Sequence, residues 1–175
     1  RDGLQGRDVY ALIVSHKGEL VVGTVDAGVS ICDVPEFHRC RAVTERNGLH
    51  GDNAYALFED REHNLWIGLN NGLNQLVTEA FESYSKTEGL PDNGVQAVFP
   101  DRNGDVWLGT YRGLVRARRD SSSGALQFTT FTTKDGLASD GVWDVLRDRA
   151  GELWVATRSG LCRLRGDGRF EAFKR

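Results

Sequence analysis

Asn103-Gly104-Asp105-Val106-Trp107-Leu108-Gly109-Thr110-Tyr111-Arg112-Gly113-Leu114 reads as a tight turn, a short apolar strand centred on Trp107, and a second turn. The stretch recurs as Gly151-Glu152-Leu153-Trp154-Val155-Ala156-Thr157-Arg158-Ser159-Gly160-Leu161 and as His63-Asn64-Leu65-Trp66-Ile67-Gly68-Leu69-Asn70-Asn71-Gly72-Leu73. A worn copy lies at Gly18-Glu19-Leu20-Val21-Val22-Gly23-Thr24. Four copies in one chain define a repeat protein, in which each unit buries its apolar face against the next.

Working outward, each copy is preceded by a Gly-Leu pair: Gly3-Leu4, Gly48-Leu49, Gly89-Leu90 and Gly136-Leu137. The residue at the Trp position follows the Gly by 18 each time, as Val21, Trp66, Trp107 and Trp154. The Gly-to-Gly spacing varies over 45, 41 and 47 residues. The first half of each unit is therefore geometrically constrained, and length variation falls in the second half. A short Val- and aromatic-rich strand is predicted six residues after each Gly: Val9–Ile13, Ala54–Phe58, Val95–Phe99 and Val142–Leu146. Its composition is that of a strand buried on both faces. Ala11, Ala56 and Ala97 share one position in it, as suits a crowded place near an axis.

A hairpin follows, at Asp60–Asn64, Asp101–Asp105 and Asp148–Glu152, in which Asp accepts backbone N–H groups and Gly supplies positive φ. Asp101, Asn103 and Asp105 superficially resemble part of a calcium loop, but the bidentate Glu is missing and the other copies do not keep the pattern. After the Trp strand, a second turn leads to a third strand beginning at Val29, Leu73, Leu114 or Leu161. A fourth strand is expected at Phe37–Cys40, Phe81–Tyr84, Phe128–Phe131 and Phe170–Phe173. The third unit carries an insertion, Asp120–Leu126, before its last strand.

Four strands per unit, a period near 45 and no helical periodicity make the chain all-β, a β-propeller of four consecutive four-stranded blades. The units run over 1–46, 47–87, 88–134 and 135–175. A β-sandwich is the competing architecture, and it leaves the fourfold internal match unexplained. No strand is borrowed between the termini, so the expectation is an open arc from a larger propeller, with a closed four-bladed ring or closure by dimerisation as alternatives. No Met occurs in the 175 residues, so the sequence reads as a portion of a longer protein or a processed product.

The bulk numbers exclude some classes. At 39% hydrophobic and 27% charged the chain is globular. A net charge of −3, with both signs interspersed, argues against a nucleic-acid surface. The longest apolar run, Val9 to Val14, is far too short to span a bilayer. Cys32, Cys40 and Cys162 are too few for a disulfide framework or a zinc site. Cys32 and Cys40 could face each other across neighbouring strands, and both a disulfide and two free thiols remain open.

The blade pattern Asp-x-x-Gly-x-(Leu/Val)-Trp-(aliphatic)-Gly-Thr-x-x-Gly-Leu is followed by Phe-x-x-aromatic and then Asp-Gly-Leu-x-x-x-x-Val. It resembles the two-component regulator propeller repeat, most clearly at Asp101–Leu114 with Phe128–Val142 and at Asp148–Leu161. Val21 for Trp, Ala156 for Gly and a second hairpin without Gly are departures from it. The resemblance implies a ligand-sensing region outside the cytoplasmic membrane, periplasmic in an inner-membrane protein. A transmembrane helix would join it to a cytoplasmic output module. That module is a histidine kinase in many members, sometimes a hybrid, and a diguanylate cyclase in others. The partners so implied are a small ligand, such as a glycan fragment, and a second copy of the parent protein. A propeller scaffold for protein–protein interaction, without signalling output, is the alternative.

No catalytic constellation, cofactor motif or metal spacing emerges from the residues. His16, His38, His50 and His63 fall at non-equivalent repeat positions. Carboxylate pairs such as Glu59-Asp60 lie in hairpins, where turn chemistry accounts for them. Trp66, Trp107 and Trp154 sit mid-strand and read as core rather than as a sugar-stacking platform. In a propeller, the loops entering the first strands and those joining second to third strands emerge on one face. On that face the candidates for ligand contact are Asp26, Asn53, Asn70, Asn71, Asn93, Tyr111, Arg112, Asp140 and Arg158. Tyr111, Arg112 and Arg158 are the least turn-like of them.

Overall fold

The computed structural model describes residues 4–6, 8–34, 39–77 and 80–173. The strands form four antiparallel sheets, each a simple meander. The first holds β1 (Asp8–Val14), β2 (Leu20–Val25), β3 (Val29–Cys32) and β4 (Cys40–Val43). The second holds β5 (Ala54–Glu59), β6 (Leu65–Leu69), β7 (Gly72–Val77) and β8 (Ala80–Tyr84). The third holds β9 (Val95–Pro100), β10 (Val106–Thr110), β11 (Gly113–Arg119) and β12 (Leu126–Phe131). The fourth holds β13 (Val142–Arg147), β14 (Leu153–Thr157), β15 (Gly160–Leu164) and β16 (Phe170–Phe173). These are β-propeller blades. The described residues up to Ser85 form one compact unit with two blades, and those from Lys86 form a second with the other two.

One carboxylate organises each hairpin. The Trp66, Trp107 and Trp154 Nε1–H groups donate to Asp60, Asp101 and Asp148 Oδ2 at 2.8, 3.0 and 2.9 Å. The other oxygen of the same Asp caps the turn: Asn64 N–H donates to Asp60 Oδ1 at 2.8 Å, and Glu152 N–H to Asp148 Oδ1 at 2.9 Å. The indole can thus be buried with its one polar atom satisfied. Trp66 and Trp107 are each only 3% exposed.

Within each unit, one blade packs on the next through small residues. A Cβ at Gly109 of β10 would sit 3.1 Å from the Val142 carbonyl oxygen of β13 and 3.2 Å from Ala97 Cβ of β9. Glycine suits the position because a side chain there would press on neighbouring backbone by a few tenths of an ångström. Gly23 of β2 meets Ala54 of β5 and Ala11 in the same way in the first unit. The cores so enclosed are centred on Val21, Val29, Leu57 and Ile67 in the first unit, and on Trp107, Leu114, Val145 and Val155 in the second.

Three features differ from the sequence reading. First, short 3₁₀ turns, which the sequence reading did not place, precede the Gly-Leu pairs of the last three blades. Gly48 and Gly136 close short 3₁₀ turns, Glu45–Asn47 and Thr133–Asp135, each with a capping box from Thr44 or Thr132. A third turn, Lys86–Glu88, precedes Gly89. The following Leu49, Leu90 and Leu137 are buried. One-turn helices carry no periodicity to detect.

Second, the last strand of the first blade is Cys40–Val43, three residues later than expected; Phe37 and His38 lie outside the described residues. Register explains the shift. Val43, Tyr84, Phe131 and Phe173 are the equivalent residues, pairing with Val29, Leu73, Leu114 and Leu161. The first blade has lost the Phe-x-x-aromatic signature. Cys40 stands where Phe81, Phe128 and Phe170 stand, opposite Cys32, and the two are joined by a disulfide.

Third, the innermost strands are not buried on both faces. Val142 and Val145 are buried, whereas Trp143 and Leu146 are 43% and 48% exposed. Each innermost strand carries a β-bulge at one shared position. The ladder passes from Val9 to Ala11, Ala54 to Ala56, Ala97 to Val95 and Val142 to Asp144 against consecutive partners. Tyr10, Tyr55, Gln96 and Trp143 are the extra residues. A bulge of this kind bends the strand and re-aims one side chain.

Two outcomes are expected from this packing. Trp107→Ala removes a buried indole and should lower the unfolding free energy in urea by about 3–5 kcal/mol; a loss below about 1 kcal/mol would place Trp107 outside the core. The second concerns acid. Burial raises the Asp101 carboxyl, but hydrogen bonds from Arg147, Trp107 and the Arg102 N–H, with the Arg147 charge, outweigh it and leave its pKa below the ordinary 3.8. The unfolded state then binds more protons, so this stabilisation is present above about pH 4 and is lost as pH falls through the lowered pKa. Unfolding free energy measured from about pH 5 down to pH 2 should fall more steeply in the wild type than in Asp101→Asn. Parallel curves would remove Asp101 as the acid-sensitive group.

Candidate functional site

In the second unit the bulge at the start of β13 turns Trp143 outward, beside the turn between β10 and β11. There the Tyr111 and Trp143 rings meet edge to face, with centroids 5.6 Å apart and an interplanar angle of 87°. They border an open cleft of about 760 Å³, which Ser139, Asp140, Arg158 and Ser159 also line. Tyr111 is 48% exposed and Trp143 43%. So large an exposed aromatic pair, set among polar groups, is what a solvent-facing binding surface presents.

Each side chain is placed by local backbone logic. The Tyr111 and Arg158 turns are held from below by buried threonines: Thr110 Oγ1–H donates to the Gly113 carbonyl at 2.8 Å and Thr157 Oγ1–H to the Gly160 carbonyl at 2.7 Å. The Arg158 N–H donates to the Gly141 carbonyl at 2.8 Å, tying its turn to the loop entering β13. Its guanidinium has no ion-pair partner among the described residues. Gly94 supports Tyr111 from the other side, since a Cβ there would lie 2.7 Å from two carbons of the Tyr111 ring.

The nine sequence-predicted residues are divided by the structure. Tyr111, Arg158 and Asp140 come together at the cleft. Arg112 lies outside its lining, 70% exposed, with Nε 3.4 Å from Asp92 Oδ2. Asp140 Oδ1 also accepts the Thr133 N–H at 2.7 Å, and Asn93 Oδ1 accepts the Lys86 N–H at 2.9 Å. Both side chains thus fasten a 3₁₀ turn to the following loop, as Asp52 does for the Glu45 N–H. Asp26, Asn53, Asn70 and Asn71 belong to the first unit. Asn53 Oδ1 accepts the Asp26 N–H at 2.9 Å, and the Asn53 carbonyl accepts the Asn70 N–H at 3.2 Å. Asn70 Oδ1 and Asn71 Nδ2 both crowd Gly51.

Sequence reasoning missed Trp143 because it sat inside a strand read as buried. A signal was present: Val142 and Val145 are spaced by three, which breaks the alternation of a regular strand. Sequence reasoning also kept His16 and His63 apart and assigned Glu59 to turn chemistry. The structure brings these three side chains together at the β1–β2 and β5–β6 hairpins. The calcium-like triad is otherwise engaged: Asp105 takes a two-pronged pair from Arg118 at 2.7 and 2.7 Å, and Asp101 pairs with Arg147.

Comparison with known proteins places the fold. Over 97% of this chain and 25% of its own, the extracellular domain of BT4673 from B. thetaiotaomicron, assigned as a one component system, superposes with a TM-score of 0.80 at 21% identity. The extracellular domain of BT3049 from the same organism, assigned as a hybrid two component system, gives 0.69 at 16% identity over 95% and 29%. Virginiamycin B lyase from Staphylococcus aureus gives 0.73 at 15% identity over 98% and 57%. These likenesses are of fold. The chain spans about a quarter of the length of the first two. No curated protein matches it. Residues 48–71, 89–112 and 136–159 each match the two component regulator propeller repeat. The chain thus carries three two component regulator propeller repeats.

Proposed function

We propose that this chain is part of the ligand-sensing propeller of an extracytoplasmic bacterial signalling protein, with a histidine kinase as the output module of its parent. The repeats and the fold shared with extracellular domains of such systems support the class. The Cys32–Cys40 disulfide supports the compartment, because such bonds persist where the surroundings are oxidising. In this reading the chain binds its ligand and does not transform it, and a membrane anchor and a second copy of the parent carry the signal onward.

The observation that carries ligand binding is the cleft at Trp143. Aromatic faces beside hydroxyl, carboxylate and guanidinium groups suit a sugar ring: the apolar ring faces stack, and the hydroxyls find hydrogen-bond partners. Arg158, which is in no ion pair among the described residues, adds a site for an acidic substituent. A short glycan fragment bearing a uronic acid meets both demands.

The test is a panel of neutral and uronate-containing oligosaccharides, with affinities from calorimetry. A uronate-containing member should bind the wild type. Trp143→Ala should weaken it by about thirtyfold or more, as removal of a central aromatic anchor does, with little change in Tm because the side chain is half exposed. Arg158→Ala should weaken the acidic member selectively. A panel without binding, or full affinity in Trp143→Ala, would overturn the reading.

Gly94 supplies an independent check on the geometry. Its φ lies outside the left-handed region, so Gly94→Ala is tolerated by the backbone, but the new methyl must displace the Tyr111 ring. The expected result is weaker oligosaccharide binding with a Tm within a few degrees of wild type, roughly the shift of a change of 1 kcal/mol or less. Unchanged binding would show that Tyr111 does not contribute to the site.

A further inference from the structure

We infer that the first unit contains a binding site for a divalent transition-metal ion, with zinc as its natural occupant, built from His16, Glu59 and His63. The site is separate from the cleft at Trp143 and does not depend on what binds there.

The three residues come from two hairpins. His16 lies in the β1–β2 turn, Glu59 ends β5, and His63 lies in the β5–β6 turn. One ligand atom from each lies within 4.8 Å of both others. His16 Nδ1 is in direct contact with Glu59 Oε1, and His63 Nδ1 is 3.7 Å from the same oxygen. The imidazoles stack with centroids 3.9 Å apart, so both Nδ1 atoms face one carboxylate oxygen. Glu59 is oriented from behind: the His16 N–H donates to its Oε2 at 2.8 Å, leaving Oε1 toward the rings. An outer hydrogen bond that orients a ligating carboxylate is a usual part of a metal site.

The donor set selects the ion. Two imidazoles and a carboxylate are the ligands of three-residue zinc sites, in which a fourth position is left to water or a further ligand. Calcium and magnesium take oxygen donors instead. Ligand atoms about 2.1 Å from a tetrahedral ion lie about 3.4 Å apart. The present separations reach that arrangement by side-chain rotation, with His16 and His63 exposed enough to move.

The backbone carries a second, independent sign. His63 has φ of 67°, in the left-handed region where a β-carbon is strained. The equivalent residues of the third and fourth blades are Gly104 and Gly151, at 86° and 89°. The turn itself calls for glycine, and histidine is held there against that preference. Strain of this kind is kept where a side chain has a task. The surrounding pocket, of about 280 Å³, gives an ion access from solvent.

The decisive variant is His63→Gly. It restores the residue the hairpin geometry prefers, so it should fold at least as well as the wild type, and it deletes one ligand. Tag-free 175-residue chain is titrated with zinc chloride by calorimetry, with Tm followed in parallel. The wild type should bind one zinc ion saturably and gain Tm on addition of excess metal. His63→Gly should bind at least about 100-fold more weakly, beyond the 10–100-fold that loss of a mere orienting partner costs, and show no gain in Tm. Glu59→Gln should behave likewise. Calcium chloride should produce neither effect. Absence of saturable zinc binding in the wild type, or equal zinc affinity in His63→Gly, would overturn the site; equal binding of calcium would overturn the choice of ion.

Discussion

Three of the four blades are organised by shielding an indole from water with its N–H satisfied. The carboxylate six residues before each Trp meets that need, and Asp60 and Asp148, with their other oxygen, also close the hairpin that brings the Trp strand back. The first blade shows the logic by losing both halves together. Val21 replaces the Trp, so no N–H needs an acceptor, and Ser15 replaces the Asp. Ser15 Oγ still accepts the Glu19 N–H at 3.2 Å, the turn-closing half of the task. A hydroxyl suffices for the turn; a carboxylate is needed only when an indole must be held as well.

The constant interval of 18 residues between the opening Gly and the Trp position has the same origin. Between these points lie a glycine that ends a 3₁₀ turn and an Asp or Asn four residues on that accepts an N–H of that turn. Then come a bulge at the seventh residue and the hairpin acid at the twelfth. The turn and hairpin steps are hydrogen bonds to backbone N–H groups, and inserting a residue would break at least one of them. Past the third strand the obligations end at an exposed edge, and the chain admits the Asp120–Leu126 insertion and the disulfide-bonded loop of the first blade.

This division explains what the sequence made legible. Strand number, order and the core Trp could be read because they repeat, and repetition separates signal from accident. The bulge could not be read in this way. It repeats in all four blades, but as a geometry carried by three residue types, at Tyr10, Tyr55, Gln96 and Trp143. A single extra residue shifts the in–out alternation by one, so a strand that looks continuously apolar exposes large side chains such as Trp143 and Leu146. The last strand of the first blade was misplaced for the converse reason. An aromatic pattern was sought where a disulfide had taken its role. Tyr111, Arg158 and Asp140 were found from loop position alone, and their convergence with Trp143 required the bulge.

Residues common to the copies are largely occupied by the fold: Asp60, Asp101 and Asp148 by indoles, Asn93 by a turn, Gly109 by the next blade's backbone. They have little left to offer a ligand. Recognition must then fall to positions where the fold tolerates many residues, or where one copy defies its siblings. Trp143 is the first kind, since the bulge accepts Tyr and Gln equally. His63 is the second, since its turn prefers glycine. The two kinds sit at opposite ends of the innermost strands, the bulge near the entry and the hairpin at the exit. A blade therefore has two chemically independent ends, and a change at one need not disturb the indole-centred packing that lies between them.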